Sequence, residues 1–135
     1  MANKEIVKNW FSHIDTHSFS ELRNLMGGNH RFQNPMTPAP IGVDEHLGMM
    51  RMMTSAFKGQ HHLELILEDG DYVAVSGKWS GKHTGEFNGL AATNKPVQFT
   101  FIDIFHIVNG KVTDEHMELN PMAIMAQIGA NSGKG

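Results

Sequence analysis

Residues 99–107, FTFIDIFHI, decide how the rest of the chain is read. They alternate as a strand does. Phe99, Phe101, Asp103 and Phe105 fall on one side, and Thr100, Ile102, Ile104 and His106 on the other. Both sides are rich in apolar residues, so both faces of the strand should be covered. A carboxylate in the middle of the aromatic side loses hydration. It must find donors, hold a proton or face a wet cavity. Asp103 is therefore the first candidate for chemistry.

Working outward, Ile6, Trp10 and Ile14, flanked by Val7 and Phe11, recur at helical spacing and predict a first helix over residues 3–15. SFSELRNLM predicts a short second helix capped by Ser18 and ended by Gly27-Gly28. NHRFQNP alternates until Pro35 stops it, placing His30, Phe32 and Asn34 on one face. After the loop MTPAPIG, the stripe Val43, Leu47, Met50, Met53 and Phe57 predicts a third helix over 43–57. HHLELILE, GDYVAVSGKWSGKH, KPVQFTFIDIFHI and KVTDEHMEL predict four strands, two pairs of them joined as hairpins. NPMAIMAQIGA predicts a last helix with Asn120 as N-cap and Pro121 at N1. Helices grouped first and then a run of mostly antiparallel strands define an α+β domain. One domain is expected over residues 1–130, with 131–135 a disordered tail.

Composition narrows the function classes. A chain of 135 residues is expected to bury roughly 68% of its unfolded surface. A net charge of −3 gives no basic footprint for nucleic acid. Cys is absent, which excludes disulfides, thiolate nucleophiles and Cys-ligated metals. The start lacks signal-peptide features and no apolar run approaches ~18 residues, so no membrane span is expected and the cytoplasm is the expected location.

The run GKHTGEFNGLAATNKPVQFTFIDIFHIVNGKVTDEHMELN, followed by MAQIGA, resembles the SnoaL-like polyketide cyclase family. That family's pattern reads G-T-H-x-G-x-F-x-G-x-x-A-T-G-K, then an I-D-x-F-[RH] strand, an N-G-K or D-G-K turn, E-H-W and a final Q-[LI]-G. The resemblance covers nearly the whole chain. It implies the nuclear transport factor 2-like fold: a strongly curved, mostly antiparallel sheet, with three helices in the N-terminal half and a short C-terminal helix, enclosing a hydrophobic pocket. Ketosteroid isomerases, limonene-epoxide hydrolases and scytalone dehydratases share it. It also implies a homodimer through the outer sheet face and a small, mostly apolar, carbonyl-bearing ligand, with no cofactor or metal.

Candidate site residues follow. Asp103 matches the strand position where ketosteroid isomerases keep a protonated acid as a hydrogen-bond donor. Strand parity turns Glu115, Met117 and Leu119 inward. A three-residue turn would set Asp103 opposite Glu115, whereas a two-residue Asn-Gly turn would set it opposite His116. His83 matches the His of G-T-H and shares its parity with Trp79. Asp103, His83 and Glu115 are the catalytic candidates, with Glu115 as base in a proton transfer next to a carbonyl: aldol-type cyclisation, isomerisation or dehydration. Where the isomerases have a carboxylate before Pro, this chain has Asn34; where the cyclases have an acid after E-H-W, it has Asn120. An amide cannot exchange a proton near neutral pH, so a non-catalytic binding domain is the alternative. Asn120 reads equally as a helix cap. Trp10, His30, Phe32, Met53, Phe57, Phe101 and Met117, with Trp79 and the two amides, are the expected ligand wall. His61-His62 and the His13/His17 pair read as solvated histidines.

Overall fold

The apolar stripe near the N-terminus forms α1 (Asn3–Asp15), burying Ile6, Val7, Trp10 and Phe11. The structure, a computed structural model, describes residues 1–129, so the expected tail lies outside the described residues. A short α2 (Phe19–Asn24) passes through Leu25 into β1 (Met26–Gln33). Gly27 and Gly28 therefore open the strand and do not end the helix. Ser18 precedes α2 without a capping bond; its hydroxyl pairs with that of Thr16 at 2.8 Å. Next come α3 (Val43–Ala56), β2 (Phe57–Asp69), β3 (Tyr72–His83), β4 (Pro96–Val108), β5 (Lys111–Glu118) and α4 (Pro121–Ile128). β2 starts four residues before the predicted strand because α3 runs straight into it.

One sheet holds all five strands in the order β1-β5-β4-β3-β2, antiparallel except for β1 beside β5. The helices pack on its inner face. Phe101, Asp103, Phe105 and Ile107 are buried there, while Ile102 and Ile104 remain 52% and 47% exposed on the outer face. No helix among the described residues is long and apolar enough to cross a membrane.

The β4–β5 hairpin corrects both expected registers. Val108 pairs with Lys111, so Asn109 and Gly110 form a two-residue turn, with φ of 51° and 77° as a type I′ turn needs. Taken alone, that turn would bring His116 inward opposite Asp103. A bulge intervenes: Ile107 pairs with Val112 but His106 with Asp114, leaving Thr113 as an extra residue in β5. The Thr113 hydroxyl donates to the His106 carbonyl at 3.2 Å. One inserted residue restores the inward parity of Glu115 and Met117. Asp103 ends opposite Met117, and Glu115 opposite Phe105.

A second local device shapes the wall. Gly59 of β2 and Gly81 of β3 face each other, and a Cβ on either would lie 2.7 Å or 2.6 Å from the Trp79 ring. The glycine pair lets the indole lie flat along the sheet, stacked on Phe99 at 5.6 Å. Two apolar clusters result. One, around Trp10, Phe11, Leu47 and Phe105, sits beneath α1–α3; the other, around Phe57, Trp79, Phe87 and Ile124, sits beneath α4.

Candidate active site

Between helices and sheet lies a cavity of about 130 Å³. A hole of about 150 Å³ accepts benzene, so this one suits a molecule with roughly one ring. Trp10, Phe32, Asn34, Met53 and Phe57 line it, with Trp79, Glu115 and Met117. Met36, Met49 and Met50 add flexible thioether surface. Of the lining residues only His17 and Met36 are exposed, which marks the mouth.

At the inner end two buried carboxyls meet. Asp103 is fully buried and Glu115 4% exposed, and among the described residues no hydrogen bond of ordinary geometry reaches either Asp103 oxygen or Glu115 Oε1. They sit diagonally across β4 and β5, close enough to share one hydrogen bond when one carries a proton. Burial, then the Glu115 charge, pushes Asp103 well above the usual carboxylate range; the Ile104 amide opposes this only weakly. Burial pushes Glu115 up to about 7, with the Asp103 hydrogen bond opposing. Near neutral pH Asp103 is thus the protonated partner and Glu115 the one that ionises. Glu115 lines the cavity; Asp103 lies behind it.

Two histidines continue the chain of contacts. His30 Nδ1 lies 3.0 Å from the Val112 carbonyl, which can only accept, so that nitrogen carries the proton. Its bare Nε2 then accepts from Nδ1–H of His46 at 2.9 Å. His46 in turn presents a bare Nε2 to Glu115 Oε1 at 3.7 Å. That gap exceeds the 2.7–2.9 Å of a charge-assisted hydrogen bond, and both side chains are buried. His46 is therefore an uncharged imidazole and not the cationic half of an ion pair. Burial lowers His30, and burial plus the neighbouring His30 lowers His46 to about 2. Trp10 packs over both imidazoles at 5.7 Å and 5.9 Å, and its indole N–H has no acceptor.

His46 was absent from the sequence candidates. It lies three residues after Val43 and four before Met50, on the apolar stripe of α3, and a lone His there is usually ordinary core. His61 departs from its expected solvated state. Its Nδ1 meets Asp15 at 2.7 Å, its amide donates to the same carboxylate at 2.9 Å, and both residues line the cavity.

Several candidates stand elsewhere. His83 is buried eight residues along β3 from Val75, the partner of Asp103, or roughly 25 Å away along the strand. It packs on Phe57 at 5.2 Å, and its Nδ1 accepts from the Thr93 amide at 3.2 Å, pinning the 84–95 loop. Asp103, His83 and Glu115 therefore do not converge, because a twelve-residue strand spans both apolar clusters. His83→Ala is expected to cost about 2–3 kcal/mol in urea unfolding while leaving chemistry in the cavity unchanged. His30 and Phe101 are buried behind the wall. Asn120 caps α4, accepting from the Met122 amide at 3.0 Å, and does not line the cavity. Asn34 does line it, but its side-chain oxygen is occupied by the Met36 amide at 2.8 Å. Among the described residues no group of three or more His, Cys, Asp or Glu is arranged to hold a metal ion.

A curved sheet closed by helices around an apolar pocket with buried acids at its floor is the nuclear transport factor 2-like architecture. Within that class the chain belongs to the SnoaL-like polyketide cyclase family, whose profile matches residues 4–128. A protein from Jannaschia sp. CCS1, provisionally assigned as a SnoaL-like polyketide cyclase, superimposes with a TM-score of 0.86 at 20% identity, covering 95% of this chain and 92% of its own. IdmH of Streptomyces antibioticus, provisionally assigned as a polyketide cyclase, gives 0.84 at 18%, with coverages of 93% and 97%. AclR of Streptomyces galilaeus, provisionally assigned as a hydroxylase, gives 0.85 at 18%, with 94% and 80%. At these identities the likeness carries the fold alone. Comparison with curated proteins finds no match.

Proposed function

We propose that this protein catalyses proton transfer at a carbon next to a carbonyl, in an aldol-type cyclisation or isomerisation of a small, mostly apolar compound. Membership of a cyclase family supports the reaction class. The observation that carries the assignment is a buried Glu115 in the cavity wall, its Oε1 without a hydrogen-bond partner among the described residues, with a second carboxyl behind it. Glu115 as carboxylate takes the carbon-bound proton. Asp103 stays protonated and donates to Glu115, so the pair carries a single charge. Trp10 lines the cavity, and its N–H, unsatisfied among the described residues, is the donor assigned to the developing oxygen charge. His46, also in the cavity wall, sets an unprotonated Nε2 3.7 Å from Glu115 Oε1, so the collected proton leaves Glu115 to solvent and not to this imidazole. Deuterium exchange at the α-carbons of a bound ketone tests this; exchange at the background rate in D2O would sink it.

The amides at positions 34 and 120 support a second reading, a domain that binds without turnover. The same assay separates the two: ligand retention in native mass spectrometry with no α-exchange favours binding alone.

The ligand is a small apolar carbonyl compound, and the working unit is a homodimer formed through the outer sheet face. Leu65, Leu67, Tyr72, Ile102 and Ile104 are all about half exposed. They lie in adjacent rows, since Leu67 pairs with Ala74 and Ala74 with Ile104, while Leu65 pairs with Ser76 and Ser76 with Ile102. Such a contiguous apolar patch is uncommon on a monomer. Ile104→Lys is expected to halve the mass measured by light scattering; an unchanged mass, or a monomeric parent, refutes the dimer.

A further inference from the structure

We propose that Asp15 and His61 form a second proton-handling dyad in the same cavity, with His61 protonating the oxygen of the carbonyl that is attacked. This rests on Glu115 acting as base, and it assigns the reaction to ring closure.

The geometry is that of a held imidazole. Asp15, the last residue of α1, grips His61 twice, through the backbone amide at 2.9 Å and through Nδ1 at 2.7 Å. Phe11 at 4.8 Å and Phe101 at 5.6 Å enclose the ring. Its side chain is only 10% exposed. Nδ1 is committed to the carboxylate, and Nε2 has no protein partner among the described residues. Both side chains line the cavity, so Nε2 is the nitrogen free to meet a ligand. Asp15 orients the ring and offers a counter-charge to the imidazolium, which makes it a positioning residue and His61 the catalytic one.

Two poles then serve one cavity. Trp10 marks the Glu115 pole, and Asp15 stands five residues, or about 7.5 Å, farther along α1. A base and an acid that each reach about 3 Å, one to a carbon and the other to the oxygen across the bond being made, stand on the order of 8 Å apart. An isomerisation needs an oxygen donor on the same carbonyl that the base activates, which Trp10 supplies; a donor at the far pole suits a second carbonyl. The step balances. Glu115 removes the carbon-bound proton, the freed electron pair forms a C–C bond to the second carbonyl carbon, and the displaced π pair takes the Nε2 proton of His61. Solvent at the mouth then takes the proton from Glu115 and returns one to His61, so the cycle has no net proton change and no oxidant is required.

2,6-Heptanedione is a suitable probe, because its α-exchange reads proton removal and its closure towards 3-methylcyclohex-2-enone reads both steps. His61→Gln should slow closure by about 10²-fold more than it slows exchange. Asp15→Asn should give a smaller loss in the same direction, recovered in part by Asp15→Glu. Closure at the parental rate in His61→Gln overturns the proposal. Failure of the base assignment looks different: exchange then persists in Glu115→Gln. Should the parent close no diketone, ring ¹⁵N spectra decide. Saturating 3-methylcyclohex-2-enone must shift His61 Nε2 while Nδ1 keeps its proton, and an unmoved Nε2 overturns the proposal.

Discussion

Glu115→Gln is expected to slow α-deuterium exchange of a small ketone by about 10³-fold, the range that a positioned general base supplies. Gln keeps the shape and the cavity wall but cannot take a proton. The loss should fall on the catalytic rate constant with little change in ligand affinity, because the cavity walls are mostly apolar side chains that the substitution leaves in place. The pH profile provides the stricter test. The carboxylate is the active form and burial holds Glu115 at about 7, so the rate should rise through neutrality and level off above about pH 8. An ordinary exposed glutamate would be fully active by about pH 6. A flat profile between pH 5.5 and 8, or exchange that survives the substitution, removes Glu115 from the chemistry.

Much of this arrangement was legible in the residues. Alternation in 99–107 placed Asp103 on the inner face and Ile102 and Ile104 on the outer one, because a period of two is inseparable from the strand itself. α1 ran over the predicted residues, since its stripe is long and its polar face clean. The hairpin register was not legible. Val108-Asn109-Gly110-Lys111 fits a two-residue turn, yet the bulge at Thr113 depends on what best fills the core, and no local residue signals it. Parity showed His83 pointing inward but not which of two clusters it would enter. The Asp15–His61 contact joins residues 46 apart, and the His30–His46 bond crosses from β1 to α3. Such pairings become visible only when the chain is folded.

Four of the buried ionisable groups, Asp103, Glu115, His30 and His46, also predict an unusual dependence of stability on pH. Between about pH 4.5 and 6.5 the folded chain keeps protons on Asp103 and Glu115, both raised, and none on His46, lowered to about 2, while His30, also lowered, binds its proton less readily than an ordinary imidazole. The unfolded chain does the reverse, with carboxylates ionised and imidazoles charged. The two states bind nearly the same number of protons from this set, so its contribution is flat across that window. On the alkaline side, the raised carboxyls lose their stabilising difference as pH climbs through their folded values. On the acid side, the histidines cost stability as pH falls, because the unfolded chain takes up protons that the folded one refuses. Each substitution tilts the balance by one proton, or about 1.4 kcal/mol per pH unit. Relative to the parent, Glu115→Gln should gain on the order of 2 kcal/mol between pH 5 and pH 8. His46→Gln should gain by a similar amount between pH 6.5 and pH 4.5, over which the folded His46 stays unprotonated. Urea unfolding at a series of pH values reads both differences. Parallel curves for either variant and the parent would mean that the side chain concerned has the same proton affinity folded and unfolded, and that the buried acid–imidazole cluster does not hold its protons as assigned.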